Sequence, residues 1–247
     1  MTNQDKLVQV CMLAGKIMLE SGAETYRVED TMNRMAHVYG LMDVQSYAAP
    51  TAIHFSTDRS AAAHFMRISN RSNDLQKIAD VNHISRQFTA GTLTLEEALD
   101  LLHKVEHHDM TFSYWTQILA AALVSGAFAI MFGGGGEDFL PALIAGGVGY
   151  GAMLIVNEVV RMRFVADFFS SVVIGALAIF MIHYGLGASL EKVIIGAVMP
   201  LVPGLHITNA VRDLLAGHLV AGVSKGMEAT LTAFAIGAGV AVPIAFM

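Results

Sequence analysis

The sequence predicts an α+β cytoplasmic domain over residues 1–112, followed by an all-α polytopic membrane domain of five transmembrane helices over 113–247. Three observations carry this. Hydrophobic residues make up 54% of the 247 and charged residues only 15%, with a mean hydropathy of +0.54, whereas soluble domains carry about 25% charged residues. The charge is also uneven: residues 1–112 hold 10 Lys/Arg and 14 Asp/Glu, and residues 113–247 hold 5 and 7. Finally, the first part mixes helical and strand periodicities, while the second consists of long apolar runs. A wholly soluble chain and a disordered one are thereby excluded. The net charge of −6 leaves no basic surface for nucleic acid. A single cysteine, Cys11, excludes an internal disulfide framework and a multi-cysteine metal centre.

Leu7, Val10, Cys11, Ala14, Ile17 and Met18 recur at helical spacing, and Lys16 interrupts the run, so the start reads as an amphipathic helix and not as a signal peptide. Ser21 and Glu24 have the spacing of a capping box for a second helix, whose apolar face is Val28, Met32, Met35 and Ala36 and whose stop is Gly40. Strands are predicted near Asp43–Ala48, Thr51–Thr57 and Ala63–Ser69, with turns at Pro50 and at Asp58-Arg59-Ser60. Helices near Asp74–Ala90 and Leu95–His107 follow, ended by Gly91 and opened by a Thr94/Glu97 capping box respectively. The order is α-α-β-β-β-α-α.

Five apolar segments then run over 114–132, 139–158, 165–186, 190–210 and 218–246, each near the roughly 20 residues of helix that span a bilayer. The loop at Gly133–Asp138 has no Lys or Arg, the next carries Arg161 and Arg163, the third only Lys192, and the fourth Arg212 with Lys225 beyond it. Basic loops stay in the cytoplasm, which places the amino-terminal domain inside and the carboxyl terminus outside. Gly146, Gly147, Gly149 and Gly151, and the Gly222/Gly226 pair, predict close helix packing, within the subunit first and against a second chain as the alternative.

The fourth segment is interrupted by Pro200-Leu201-Val202-Pro203-Gly204 and followed by His206, Thr208, Asn209, Arg212 and Asp213. Proline removes backbone donors, and a broken helix at membrane depth is tolerated only in a protein interior or along a cavity. Transporters place substrate sites at such breaks, so these eight positions, counting both prolines and Gly204, are the substrate or gating candidates. Asp213, Glu228, Glu158 and Asp167 are the candidates for carrying a coupling proton or ion; Glu228 has Lys225 three residues before it as a possible partner, and Glu158 and Asp167 have Arg161 and Arg163.

A membrane-anchored hydrolase is the alternative, because seven of the ten histidines lie in residues 1–112. His54 and His64 fall on adjacent strands and could face each other. His103 and His107, four apart with Glu106 beside them, have a spacing that can hold a metal, but no third ligand is evident and a solvated helix end is the simpler account. No metal and no cofactor are expected. Neither G-x-S-x-G nor H-E-x-x-H is present, and Gly15-Lys16 lacks the upstream glycine of a nucleotide-binding loop. A purely structural role in assembling another transporter is the third reading.

The stretch 15–32, GKIMLESGAETYRVEDTM, resembles the amino-terminal signature of the threonine/serine exporter family, and 200–214, PLVPGLHITNAVRDL, resembles its membrane signature. The resemblance spans nearly the whole chain. It carries Gly22, Glu24, Thr25, Arg27 and Glu29 as signature positions in the first domain, and Pro200, Pro203, Gly204, Asn209, Arg212 and Asp213 in the second. Long members of the family fuse two membrane halves with about ten spanning helices; this chain looks like the short, split form, similar to a subunit of a bacterial inner-membrane succinate exporter. The resemblance implies export of a small carboxylate or amino acid (succinate, or threonine/serine) with a smaller membrane partner of the same family, in the lipid bilayer of the bacterial cytoplasmic membrane.

Overall fold

The computed structural model of the protein describes residues 2–108 and 111–247. α1 (Asn3–Glu20) starts from a reciprocal capping box between Thr2 and Asp5, and α2 (Thr25–His37) follows after a tight turn through Gly22 at φ +86. β1 (Gln45–Ala49), β2 (Ala52–Ser56) and β3 (His64–Arg67) form an antiparallel meander. Ala49 pairs with Ala52, which leaves Pro50-Thr51 as a two-residue hairpin turn. α3 (Leu75–Thr89) and α4 (Leu95–His107) complete the α-α-β-β-β-α-α order, and the Thr94/Glu97 box caps α4 as its spacing predicts. The core joins Val10, Met32, Met35, Phe55, Phe88 and Leu102, all buried.

Two local expectations are corrected. Ser21 does not cap α2: it terminates α1, its N–H donating to Ile17 O, and Glu24 stands at the N-cap with no side-chain cap bond because its carboxylate is engaged by arginines. His54 and His64 do not face each other, because His54 is opposite Phe65 and His64 opposite Phe55. A one-residue offset in a strand puts side chains on opposite faces.

The chain forms two compact units. Met1–Met110 clusters with Ile207–Gly226, and Thr111–His206 clusters with Met227–Met247. In the second, α5 (Tyr114–Met131), α6 (Gly136–Val160) and α7 (Arg163–His183) pack in sequence, and α8 (Leu190–Val198) packs on all of them. Gly146 is obligatory there, since a Cβ would lie 2.0 Å from Ser125 Oγ on α5. Two further helices are α9 (Gly204–Leu215) and α10 (Leu219–Ala245).

α5, α6, α7 and α10 are long and apolar enough to cross a membrane, and a fifth span is counted only if the bent pair Leu190–Leu201 and Gly204–Leu215 is taken as one. The segment 190–210 is broken, as its prolines and glycine predict, into Leu190–Leu201 and Gly204–Leu215, bent by 63°. The helix passes through Pro200 as a 3-10 turn over Met199–Leu201, and the break falls at Val202, whose extended backbone precedes Pro203. Leu190–Leu201 reaches only about 18 Å at about 1.5 Å per residue, short of a hydrocarbon core of about 30 Å.

Candidate functional site

The junction of α1 and α2 leaves polar backbone groups without helical partners. Gly22 and Ala23 present carbonyls, and Thr25, the first residue of α2, has a free N–H of the kind every helix start exposes. The partners come from α9 and from the start of α10, within the same compact unit. Asp213 is 0% exposed; its Oδ1 accepts from Thr25 N at 2.8 Å and its Oδ2 from Thr25 Oγ1 at 3.0 Å. Asp213 thus does for α2 what Ser21 was expected to do, as an N-cap supplied 188 positions away, and its negative charge meets the positive end of the helix dipole.

Lys225 Nζ neutralises this buried carboxylate at 2.7 Å, and donates also to Ala23 O at 3.1 Å and to Thr25 Oγ1 at 3.4 Å. Asn209 Nδ2 donates to Gly22 O at 2.8 Å. Beside this lies a second carboxylate: Glu24 accepts from Arg212 Nη1 at 2.5 Å on one oxygen and from Arg27 Nη1 at 3.3 Å on the other. Burial pushes the Glu24 carboxyl up, but its own backbone amide and the two guanidiniums outweigh that and hold it below the usual range. Glu29 behaves oppositely. Burial raises it, the Ala48 amide and His218 oppose, and the Asp213 charge adds to the rise. His218 Nδ1 lies 3.6 Å from Glu29 Oε1, which accepts from Ala48 N at 2.8 Å.

The fold therefore brings together Gly22, Glu24, Thr25, Arg27 and Glu29 with Asn209, Arg212 and Asp213. Other candidates stand elsewhere along the chain. Pro200 lies in the 3-10 turn, Pro203 is buried in the break, and Gly204, His206 and Thr208 occupy the first turns of α9. Glu158 accepts from Tyr114 Oη at 2.7 Å, Asp167 is buried in α7, and Glu228 lies half-buried in α10. Lys225 is directed to Asp213. Sequence reasoning missed Lys225 and His218 as members of the cluster. The available signal was a lysine inside an apolar helix, which demands a counter-charge without saying which.

Glu106 supplies the third ligand that the His103/His107 spacing lacked: one ligand atom from each lies within 4.8 Å of the others. However, Lys16 Nζ holds Glu106 Oε1 at 2.6 Å and Lys77 Nζ donates to Glu106 O at 3.0 Å. Two ammonium groups at one carboxylate residue oppose a divalent cation.

A family profile described as "Putative threonine/serine exporter" matches residues 9–247. The chain belongs to this family. It is similar to a threonine/serine exporter of Corynebacterium glutamicum, 22% identical over 260 residues that cover 99% of this chain and 52% of that protein. It is also similar to a protein named probable succinate transporter subunit YjjP in Klebsiella aerogenes, 22% identical over 97% of this chain and 93% of that one. The protein of that name in Escherichia coli is 22% identical, with 97% and 94% covered. The chain thus spans about half of the Corynebacterium exporter (52%) and nearly all of the succinate-transporter subunits (93% and 94%). No solved structure matches. With its apolar helices, family membership makes this a multi-pass bacterial membrane protein of a transporter family, not an enzyme.

Proposed function

We propose that the chain is one subunit of a secondary transporter that exports small carboxylates or amino acids (succinate, or threonine/serine) across the bacterial cytoplasmic membrane, with a smaller membrane protein of the same family as its other half. Residues 1–112 lie in the cytoplasm and the carboxyl terminus outside, in keeping with Arg161 and Arg163 in a short loop and the uncharged glycines before Glu137. A partner subunit is supported by the chain's match to about half of a longer exporter (52%) and by the word "subunit" in its similarly sized relatives.

The observation that carries the gating assignment is the meeting of Glu24 and Thr25 with Arg212 and Asp213, joined at 2.5 and 2.8 Å. The two pairs differ in kind. Asp213 and Lys225 are buried and fully engaged, so they act as a pivot. Arg212 is half exposed, and Glu24 is bound to it as any carboxylate would be. A substrate carboxylate arriving from the cytoplasm competes with Glu24 for the Arg212 and Arg27 guanidiniums, since Arg binds carboxylates in a charge-assisted and often bidentate manner. Exchanging one carboxylate for another on the guanidiniums releases the Glu24 tie, while the bonds of Thr25 to Asp213 stay as the hinge about which α9 turns. Pro200, Pro203 and Gly204 then let α9 move without straining a continuous hydrogen-bond ladder, with His206, Thr208 and Asn209 as further polar groups on the path.

The test is efflux of labelled succinate, threonine and serine from cells with and without the chain and its partner. Faster efflux of at least one, lost in Arg212→Gln at unchanged expression, supports the reading. Equal efflux of all three in both strains refutes it.

A further inference from the structure

α7 buries a face that carries Asp167, Ser170 and Ser171 between Ala166 and Ile174. Ser170 is satisfied, donating to Gly149 O at 2.6 Å. Asp167 Oδ2 and Ser171 Oγ are not. Both are buried, and neither has a hydrogen-bond partner. Four residues apart, they lie on one helix face. α10 closes that face, because a Cβ on Gly239 would lie 2.8 Å from Ser171 Cβ and 2.4 Å from Phe168 O. An ionised carboxylate buried without donors costs several kcal/mol, and native proteins rarely leave such a group without a use.

Asp138, Asp213 and Glu158 are provided for. Asp138 accepts from the backbone N–H groups of Gly135, Ala188 and Ser189 at 2.8–3.0 Å. Asp213 has Lys225 and Thr25, and Glu158 has Tyr114. For Asp167 the acting charge is Arg163 on its own helix, with Nε 3.8 Å from Oδ2, beyond hydrogen-bond length and on a half-exposed side chain. Tyr150 on α6 is a titratable group that feels the same guanidinium. α6 also carries Glu158, α8 carries Glu191 and Lys192, and α10 carries Glu228.

We propose that Asp167, with the Ser171 hydroxyl four residues on along the same helix face, is the proton-binding site that couples transport to a proton gradient. A proton bonds to Oδ2 to give a neutral acid when Arg163 swings to its solvent side; the O–H bond breaks, and the proton leaves, when the guanidinium returns. One carboxylate and one hydroxyl are few of the six or more oxygens that a calcium or magnesium ion takes. This assignment rests on reading the chain as a transporter, so it is tested first without transport. In the full chain in lipid, infrared difference spectra between acid and neutral pH are expected to show a protonated-carboxyl band that is lost in Asp167→Asn. In Ser171→Ala, which keeps the acid, the band is expected to persist at a shifted frequency. A band unchanged in both variants overturns the proposal. In proteoliposomes with the partner, Asp167→Asn is expected to lose pH-gradient-driven net transport at least tenfold while exchange of labelled substrate across equal pH persists. Net transport driven by a pH gradient as in the wild type, or driven instead by a sodium gradient, also overturns it. Loss of exchange in the wild type itself, with the infrared band intact, would count against the transport reading and leave the proton site standing.

Discussion

Lys225→Met is the sharpest test of the buried pair. The change removes the ammonium 2.7 Å from Asp213 and leaves a carboxylate that is 0% exposed with only the two Thr25 donors. Breaking one partner of a buried pair costs about 3–5 kcal/mol. Asp213→Leu is expected to cost that and the α2 cap as well, roughly 1 kcal/mol more. The double variant removes both charges and loses mainly the cap, so it is expected to return to within about 1–2 kcal/mol of wild type, since replacing a whole buried pair by apolar groups is often neutral. At about 2–4 °C per kcal/mol for a chain of this size, Lys225→Met lowers the melting temperature by roughly 6–20 °C, and Asp213→Leu added to it restores most of the loss. The assay is thermal unfolding of the full chain in detergent or lipid discs, read as a double-mutant cycle. Additive losses in the double variant, or an unchanged midpoint in Lys225→Met, would refute the pairing.

Four further outcomes are expected. Arg212→Gln and Glu24→Gln each leave the melting temperature within about 1 kcal/mol equivalent, because Arg212 is half exposed and solvent screens its pair, while efflux falls at least tenfold in Arg212→Gln. The Glu24 carboxyl is held below its unbound value of 4.5, so its stabilisation is complete above that pH and is lost as the pH falls through the lower, folded value; melting curves of wild type and Glu24→Gln should converge on acidification. Burial pushes the Cys11 thiol up to about 12, so a maleimide at neutral pH should label it only on unfolding. Gly149→Ala places a Cβ 2.2 Å from Ile174 Cγ1 and should destabilise by about 1–3 kcal/mol through overpacking, whereas Gly136→Ala, with nothing within 4 Å, should be neutral in the same melting assay.

Short-range signals were legible. The Thr94/Glu97 box formed because both partners lie within one turn, and the strands fell on either side of the predicted turns at Pro50 and Asp58-Arg59-Ser60. The Ser21/Glu24 box has the same spacing and failed, because the Ser21 N–H stays with α1, donating to Ile17 O, and Arg212 and Arg27 engage the Glu24 carboxylate. His54 and His64 were placed on the right strands, but their relative face depends on register, which the pairing of Ala52 with Arg67 decides. The proline-glycine interruption was visible as a break, though not its position at Val202 or the return of residues 207–226 to the first unit.

Composition and periodicity by themselves determined that this chain has a polar front, an apolar multi-helix remainder and one interrupted apolar segment, because burial in water or lipid acts on each residue type wherever it stands. The match between the 22–25 turn and the 209–225 region belongs to the tertiary structure alone. A buried carboxylate needs a counter-charge and donors at hydrogen-bond distance, and separation along the chain says nothing about which groups, nearly two hundred positions away, will fill that need.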